Sequence, residues 1–337
     1  MITKKIFIIC VLILNLIVLD VFAGTEAFYK EFDAVGGYSA QDGWLGKQKG
    51  PQRNSVGFEY FRKISSEYGD FLTIDLQARL AYDPHNPFDE AWSIELHEAW
   101  IESKLGLGHN IRVGHFSPAF GLEPVVDTHG TLLQTLAIRD IGFKKDWGIE
   151  YRGMLSDFDI LVATTLGSGM GIERKDGSYL VTGRIGSPRT DPFQYGVSFL
   201  IGEVLKPLGI STFPRPKYAD NATIKKRAGL DALYSIGPYV FKGEYALGWD
   251  DKRGVMGTML EVDYTVPSFQ KLELELQGQL WVNEVGKGNS IDAPVTIGAT
   301  YNITKNLALR VAYTHDIHSF SEEKDDQVYL QLYFFGQ

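Results

Sequence analysis

The chain has 337 residues, of which 33 are lysine or arginine and 42 are aspartate or glutamate, so its formal net charge at pH 7 is −9. An excess of negative charge excludes nucleic acid as its main partner, because the phosphate backbone would repel it. The single cysteine, Cys10, excludes a framework of intramolecular disulfides.

The first element is an N-terminal signal peptide, which we predict over residues 1–23. Two lysines precede an apolar run, and Val21 and Ala23 stand at positions −3 and −1 of a small-residue cleavage site. Asn15 and Asp20 interrupt the run, which disfavours the alternative of a retained membrane anchor. No later apolar run approaches the roughly 18–20 residues that a membrane helix needs.

The rest of the chain alternates apolar and polar residues with period two, the pattern of β-strands that have one apolar face. In "KLELELQGQLWVN", Leu272, Leu274 and Leu276 alternate with Glu273 and Glu275. Such runs predict about sixteen strands, near 32–44, 55–64, 69–82, 93–106, 109–117, 142–153, 156–168, 179–188, 194–206, 226–236, 239–250, 254–265, 272–284, 292–304, 307–318 and 326–335. Many have the roughly 9–11 residues that cross a bilayer when tilted.

The connections between these strands alternate in length. Short ones such as "LGLGHN" and "SIGP" are followed by long ones such as residues 118–141. Short turns on one side and long loops on the other are typical of a membrane barrel, whereas a soluble sandwich does not separate loops by length. We therefore predict an all-β fold, a transmembrane antiparallel up-and-down β-barrel of about 16 strands, with 14–18 possible, over residues 24–337.

Aromatic residues make up 13% of the chain, and many stand at strand ends. Girdles of aromatic rings at the two membrane interfaces explain this placement, and packing in a soluble core is the alternative. The predicted girdle residues are Trp44, Trp100, Trp147, Tyr195, Trp249, Tyr264, Tyr301 and Tyr313. The aromatic-rich last strand, "DDQVYLQLYFFGQ", is similar to the closing strand of outer-membrane barrels.

A barrel of sixteen strands is too wide for its side chains to fill and leaves an aqueous channel. The predicted pore-lining residues are Asp75, Arg79, Glu98, Glu102, Arg112, Glu150, Arg152, Arg184, Lys242, Glu261, Glu273, Glu275 and Arg310. Both charge signs occur, and in the full set of inward charges acids are slightly in excess, which predicts a mild preference for cations. The alternative for any single residue is that it has no role in the pore and is only solvated wall or a partner of a neighbouring strand, so the sum of charges over the wall matters more than any one of them.

Residues 118–141 form the third external connection and are unusually apolar. Such a loop is poorly placed in water, so we predict that it folds into the lumen. The residues it would bury are Phe120, Leu122, Val125, Val126, Leu132, Leu133 and Leu136. Glu123, Asp127, His129 and Arg139 would then line the passage as the pore constriction.

The stretch "EAWIESKLGLGHNIRVGHFSPAFGLEP", followed by "IRDIGFKKDWGIEYRG", resembles the outer-membrane proteins of the phosphate-selective porin O/P type over residues 93–153. In that family a similar strand enters a loop and another leaves it. The resemblance implies a sixteen-stranded, homotrimeric porin in the outer membrane of a Gram-negative-type bacterium. Phosphate selectivity there depends on arginine ladders and a lysine cluster, whereas Arg139, Lys144, Lys145 and Arg152 stand among many acids here.

Together these features predict a passive porin, a water-filled channel for small hydrophilic solutes or ions that uses no cofactor and binds no nucleic acid. The expected partners are outer-membrane lipid and lipopolysaccharide, for which the basic stretch "TIKKRAG" at a loop margin is one candidate contact.

Two other functions remain open: a conduit barrel around a partner such as a multihaem cytochrome, and a barrel enzyme. Seven histidines offer possible bases, yet no Gly-x-Ser-x-Gly motif accompanies them. The spacing of His315 and His318 is weak evidence for a metal site. We therefore predict no catalytic residue and no metal ligand.

Overall fold

The computed structural model describes residues 24–41, 43–44, 52–82, 91–139, 141–169, 171–172, 177–205, 222–286, 291–319 and 325–337. The predicted signal peptide, residues 1–23, lies outside the described residues. Within the described part of the chain, no helix has the length and apolar character required to cross a membrane.

Sixteen long strands and one two-residue strand form a single sheet whose neighbours run antiparallel. In chain order they are β1 (Gly24–Ser39), β2 (Gly43–Trp44), β3 (Asn54–Ser66), β4 (Gly69–Tyr82), β5 (Trp92–Gly106), β6 (His109–Phe116), β7 (Asp146–Met154), β8 (Asp159–Thr165), β9 (Tyr179–Gly186), β10 (Phe193–Leu205), β11 (Ala222–Ile236), β12 (Tyr239–Asp250), β13 (Arg253–Thr265), β14 (Leu272–Val282), β15 (Ile291–Asn302), β16 (Leu307–His318) and β17 (Asp326–Gly336). A short 3₁₀ helix, Leu136–Arg139, lies between β6 and β7.

The sheet closes on itself because β1 pairs with both β3 and β17. Each remaining long strand pairs with the strand before and the strand after it, which confirms the predicted up-and-down barrel. The first strand begins earlier than the predicted 32–44, since residues 24–33 pair with β3. The strand predicted to start at residue 142 begins at Asp146.

The barrel buries polar side chains and exposes apolar ones. In β4, Thr73, Asp75, Gln77 and Arg79 are buried while Leu80 is exposed. The exposed apolar residues recur on nearly every long strand, among them Phe32, Val56, Ile101, Val113, Ile149, Val162, Phe199, Leu230, Leu247, Leu260, Leu276, Ile297, Val311 and Leu330. An apolar outer belt around a polar interior suits hydrocarbon rather than water and identifies a transmembrane β-barrel.

Two details of the predicted surface are wrong. Trp100 does not belong to a girdle, because it is buried on the inner side with Phe116 and Ala163. In "TIKKRAG", Lys225 and Arg227 are buried on the inner face of β11, and Lys226 alone of the three basic residues is exposed. Strand alternation separates consecutive basic residues onto opposite faces, so they form no single outer patch.

Candidate functional site

Residues 117–139 and 141–145, the inserted segment, lie against the inner face of the barrel between β6 and β7. The backbone N–H of Ala119 donates to Thr182 Oγ1 on β9 at 3.1 Å, and that of Gly121 donates to Ser198 Oγ on β10 at 3.1 Å. Pro118 cannot donate to a strand ladder, which favours the end of β6 immediately before this segment.

Glu244 on β12 holds two distant points of the inserted segment at once. One carboxylate oxygen accepts the backbone N–H of Leu122 at 3.4 Å, and the other accepts that of Leu136 at 3.0 Å. Gly121 lies directly over this carboxylate with φ +61°, and a Cβ there would overlap Glu244 Oε1. A glycine is therefore required where the segment passes Glu244.

Apolar packing adds to these hydrogen bonds. Five buried side chains of the inserted segment join wall residues such as Ala246, Met259 and Trp281 in one cluster, namely Phe120, Leu122, Leu136, Ile141 and Phe143. Full burial of each such side chain stabilises the fold by about 1.5–3 kcal/mol. Gly257 on β13 gives the segment room, because a Cβ there would lie 3.2 Å from Ile141.

The middle of the inserted segment reaches the opposite side of the lumen. His129 Nε2 lies 2.7 Å from Glu31 Oε1 on β1, and Arg310 on β16 donates to the Gly130 carbonyl oxygen at 2.6 Å. The Gln52 amide donates to the Thr131 carbonyl oxygen at 2.8 Å. The segment therefore spans the barrel from β9–β13 to β16 and β1.

Two cavities lie beside the inserted segment, and residues 126–128 line both of them. The basic cavity has a volume of about 250 Å³, and its charged lining is Arg79, Arg112, Lys144, Lys145, Arg152, Arg189, Glu98, Glu123 and Asp127, with His97 and His129. The acidic cavity has a volume of about 220 Å³, and its charged lining is Asp127, Glu261, Asp263, Glu273, Glu275, Lys242 and Arg310.

The two cavities take their walls from opposite arcs of the barrel. The wall of the basic cavity comes from β4–β7, and that of the acidic cavity from β12–β16. Four strands, β8–β11, separate these arcs on one side, and β17, β1 and β3 separate them on the other. Opposite charge on facing walls produces an electric field across the lumen.

Most cations of the basic cavity are paired with carboxylates on the wall. Arg112 donates to Glu102 at 2.9 Å, and its guanidinium lies 3.7 Å from the centre of the Trp100 ring. Lys145 pairs with Glu98. Such pairs fix the cations in place and reduce the positive charge that a solute meets.

Lys144 and Arg189 differ from the other cations of the basic cavity. The Lys144 ammonium donates to the neutral Gln134 Oε1. Burial lowers the pKa of Lys144 below its usual value, and the nearby Glu123 carboxylate partly offsets this effect. Arg189, in the connection between β9 and β10, has no ion-pair partner among the described residues. Neither cation forms an ion pair with a carboxylate within the described part of the chain.

In the acidic cavity, Lys242 lies between two carboxylates, 2.5 Å from Glu261 and 2.7 Å from Asp263. The Thr300 hydroxyl donates to Glu275 at 3.0 Å. Glu273 has no hydrogen bond or ion pair among the described residues. The wall carboxylates outnumber the cations, so this cavity is negative.

The predicted site residues lie in several different places. Of the predicted constriction residues, Glu123, Asp127 and His129 line a cavity, whereas Arg139 is bound to Gln279 and to Asp292 on the wall. Nine predicted pore-lining residues line one of the two cavities: Arg79, Glu98, Arg112, Arg152, Lys242, Glu261, Glu273, Glu275 and Arg310. Asp75, Glu102, Glu150 and Arg184 line neither cavity, and the last three form ion pairs on the wall with Arg112, Arg152 and Asp231.

Sequence reasoning missed His97 and Arg189 as lining residues. A β-bulge opposite Gln77 and Ala78 inserts His97 into β5, so it is buried although alternation from Glu98 places it outside. Arg189 lies outside the strands, where alternation gives no information. The two lysines, Lys144 and Lys145, are adjacent, yet both line the basic cavity because they belong to a loop rather than a strand.

No protein-family model and no curated protein sequence matches the chain. Its fold is similar to solved outer-membrane porins. The anion-selective porin from Comamonas acidovorans has a TM-score of 0.65 at 14% identity, covering 93% of this chain and 100% of that one. The channel DcaP of Acinetobacter baumannii has 0.61 at 12%, covering 93% and 97%. Salmonella typhi OmpF in complex with daunomycin has 0.66 at 11%, covering 93% and 98%. The chain therefore has the sixteen-stranded barrel fold of the outer-membrane porins.

Proposed function

We propose that the protein is a passive outer-membrane porin through which small hydrophilic solutes or ions diffuse. The observation that carries this proposal is the closed barrel with an apolar outer belt and a charged lumen that holds two cavities. A wall of this kind needs no cofactor to pass a solute. The likeness to solved porins supports the same function.

Within this proposal, residues 118–141 constrict the pore. Support comes from the hydrogen bonds of the segment to Thr182, Ser198 and Glu244, and from its buried apolar cluster. The same packing disfavours a conduit around a partner protein, because the segment occupies space that the partner would need. Cleavage after Ala23, residence in the outer membrane, contact with lipopolysaccharide and a homotrimer belong to the proposal too. Membership of the phosphate-selective O/P type stays a prediction.

Conductance of the purified protein in a planar lipid bilayer tests the proposal. We expect single-channel steps in KCl, and their absence would contradict an open pore. Deletion of residues 125–137 is expected to increase the step size, because it removes the middle of the inserted segment. An unchanged step size would count against the constriction while leaving the porin function in place.

A further inference from the structure

We infer that the inner wall of the barrel binds organic cations of the substituted-ammonium class at a patch of two aromatic rings and two carboxylates. The four residues, which we call the aromatic–acidic patch, are Tyr29 on β1, Glu59 and Phe61 on β3, and Asp75 on β4. The patch is separate from both cavities, since none of its residues lines either of them. The inference goes beyond the proposed porin function, because binding at this wall does not require passage through the pore.

The strand register brings the four side chains together in an alternating arrangement. Tyr29 lies directly opposite Glu59, and Phe61 lies directly opposite Asp75. Glu59 and Phe61 are two residues apart on β3, so their side chains share a face. Side chains directly opposite each other have Cβ atoms about 4.5–5.5 Å apart, and diagonal ones about 7–8 Å. One group of the size of trimethylammonium therefore reaches a ring and a carboxylate at the same time.

The aromatic–acidic patch faces the lumen rather than the membrane. Glu31, which shares the inner face of β1 with Tyr29, lies 2.7 Å from His129 of the inserted segment. Tyr29 and Phe61 are half-buried, so part of each side chain is open to the lumen. The Tyr29 ring also stacks on Phe335 of β17, with 5.0 Å between the ring centres. Aromatic girdles lie on the lipid side of a barrel, so they do not explain rings on this inner face.

Both carboxylates of the patch lack a partner within the described part of the chain. Asp75 is 9% exposed, and its Oδ1 is buried without a hydrogen bond to a described residue. Glu59 is half-buried, and its carboxylate likewise forms no hydrogen bond or ion pair with a described residue. The neighbouring Lys145 is already paired with Glu98. A carboxylate removed from water is costly unless a positive group pairs with it, so a cation that reaches Glu59 and Asp75 is stabilised there.

The rings select the kind of cation. The face of an aromatic ring is negative and attracts a cation within about 6 Å of its centre. Lys63 Nζ lies 5.8 Å from the centre of the Phe61 ring, so it leaves room for a closer cation. A small hydrated ion such as potassium keeps its water and gains little from a ring. The methyl groups of a substituted ammonium ion, in contrast, pack directly on the ring while its charge stays beside the carboxylates.

Saturation-transfer NMR on the protein in octyl glucoside micelles tests this inference with two matched probes. One is choline, and the other is its uncharged analogue, in which a tert-butyl group replaces the trimethylammonium group. We expect saturable binding of choline and about tenfold weaker binding of the analogue, because the analogue keeps the shape and loses the charge. Equal binding of the two probes, or no transfer of saturation to choline, would overturn the inference.

Two double variants locate the site. Tyr29→Leu with Phe61→Leu keeps apolar side chains and removes both rings, so choline binding should weaken about tenfold. Glu59→Gln with Asp75→Asn removes both charges and should weaken binding at least as much. The matched controls are Tyr68→Leu and Glu67→Gln, because Tyr68 is 93% exposed and Glu67 is exposed in the short connection between β3 and β4. The inference would be overturned if either double variant bound choline as tightly as the controls do.

The measurement does not depend on conduction. The absence of channel steps in KCl would contradict the proposed porin function and leave the choline result to be judged by itself. Channel steps of normal size in the two double variants would show that their barrels are folded, and the single variants Phe61→Leu and Glu59→Gln, with smaller expected losses, replace any double variant that does not fold.

Discussion

Removal of the Glu244 carboxylate should loosen the inserted segment without expelling it. Leaving a buried backbone N–H without its acceptor costs about 1–3 kcal/mol, and the bond to Leu122 at 3.4 Å is near the limit of hydrogen bonds. The bond to Leu136 at 3.0 Å is well formed. We therefore take about 3 kcal/mol for Glu244→Ala. Burial of the five apolar side chains of the segment stabilises it by more than this loss, so the segment stays inside the barrel.

A loss of about 3 kcal/mol makes local opening of the segment about a hundredfold more frequent. Amide hydrogen exchange at Leu122 and Leu136 should accelerate by this factor in Glu244→Ala, and single-channel recordings should become noisier. Glu244→Gln keeps one acceptor oxygen and should show a smaller effect. Glu67→Ala, at an exposed position, is the control. Unchanged exchange at both amides in Glu244→Ala would refute Glu244 as an anchor of the segment.

Three further predictions concern the wall and the basic cavity. Gly114→Val should lower the free energy of unfolding by about 1–3 kcal/mol, because φ at Gly114 is +138° and a Cβ would overlap the Ala99 carbonyl oxygen. An unchanged unfolding temperature on SDS gels would contradict this prediction. Arg184→Ala should lower the free energy of unfolding by about 3–5 kcal/mol, because it leaves the buried Asp231 carboxylate unpaired. The double variant Arg184→Ala with Asp231→Ala should lose less stability, and equal losses in the two variants would rule out this reason. Raising the pH should reduce anion passage at a pH below the range in which ordinary lysines lose their charge, because the pKa of Lys144 is lowered. Reversal potentials of Lys144→Gln should not show this pH-dependent change.

The barrel was predictable because a strand that separates lipid from water must alternate along its whole length. Leu274 and Leu276 therefore identified the outer face of β14 from sequence, and the length of the connections identified which strand ends share a side. The same alternation explains why Lys225 and Arg227 are buried while Lys226 is exposed. Apolar content in a long connection was the reason to expect inward packing of residues 118–141.

The opposition of basic and acidic walls was not predictable in this way. Arg79 and Glu273 both follow the inward pattern, but the sequence does not reveal that their strands face each other across the lumen. That relation depends on the total number of strands and on the register of every pair between them. Gly114 shows a similar limit. The sequence does not reveal that the close neighbour of this glycine is the β5 backbone at Ala99 and Trp100.

The pairing of β1 with β17 joins residues almost a whole chain apart, such as Glu31 and Phe335. Closure of the barrel must therefore wait until the last strand has been made, and the loop-closure entropy of this pairing opposes early assembly. Until then two strand edges carry unpaired backbone groups, which a bilayer interior does not tolerate. A chain that lacks β17 is thus expected to stay unfolded and to depend on chaperones, rather than to close into a smaller barrel.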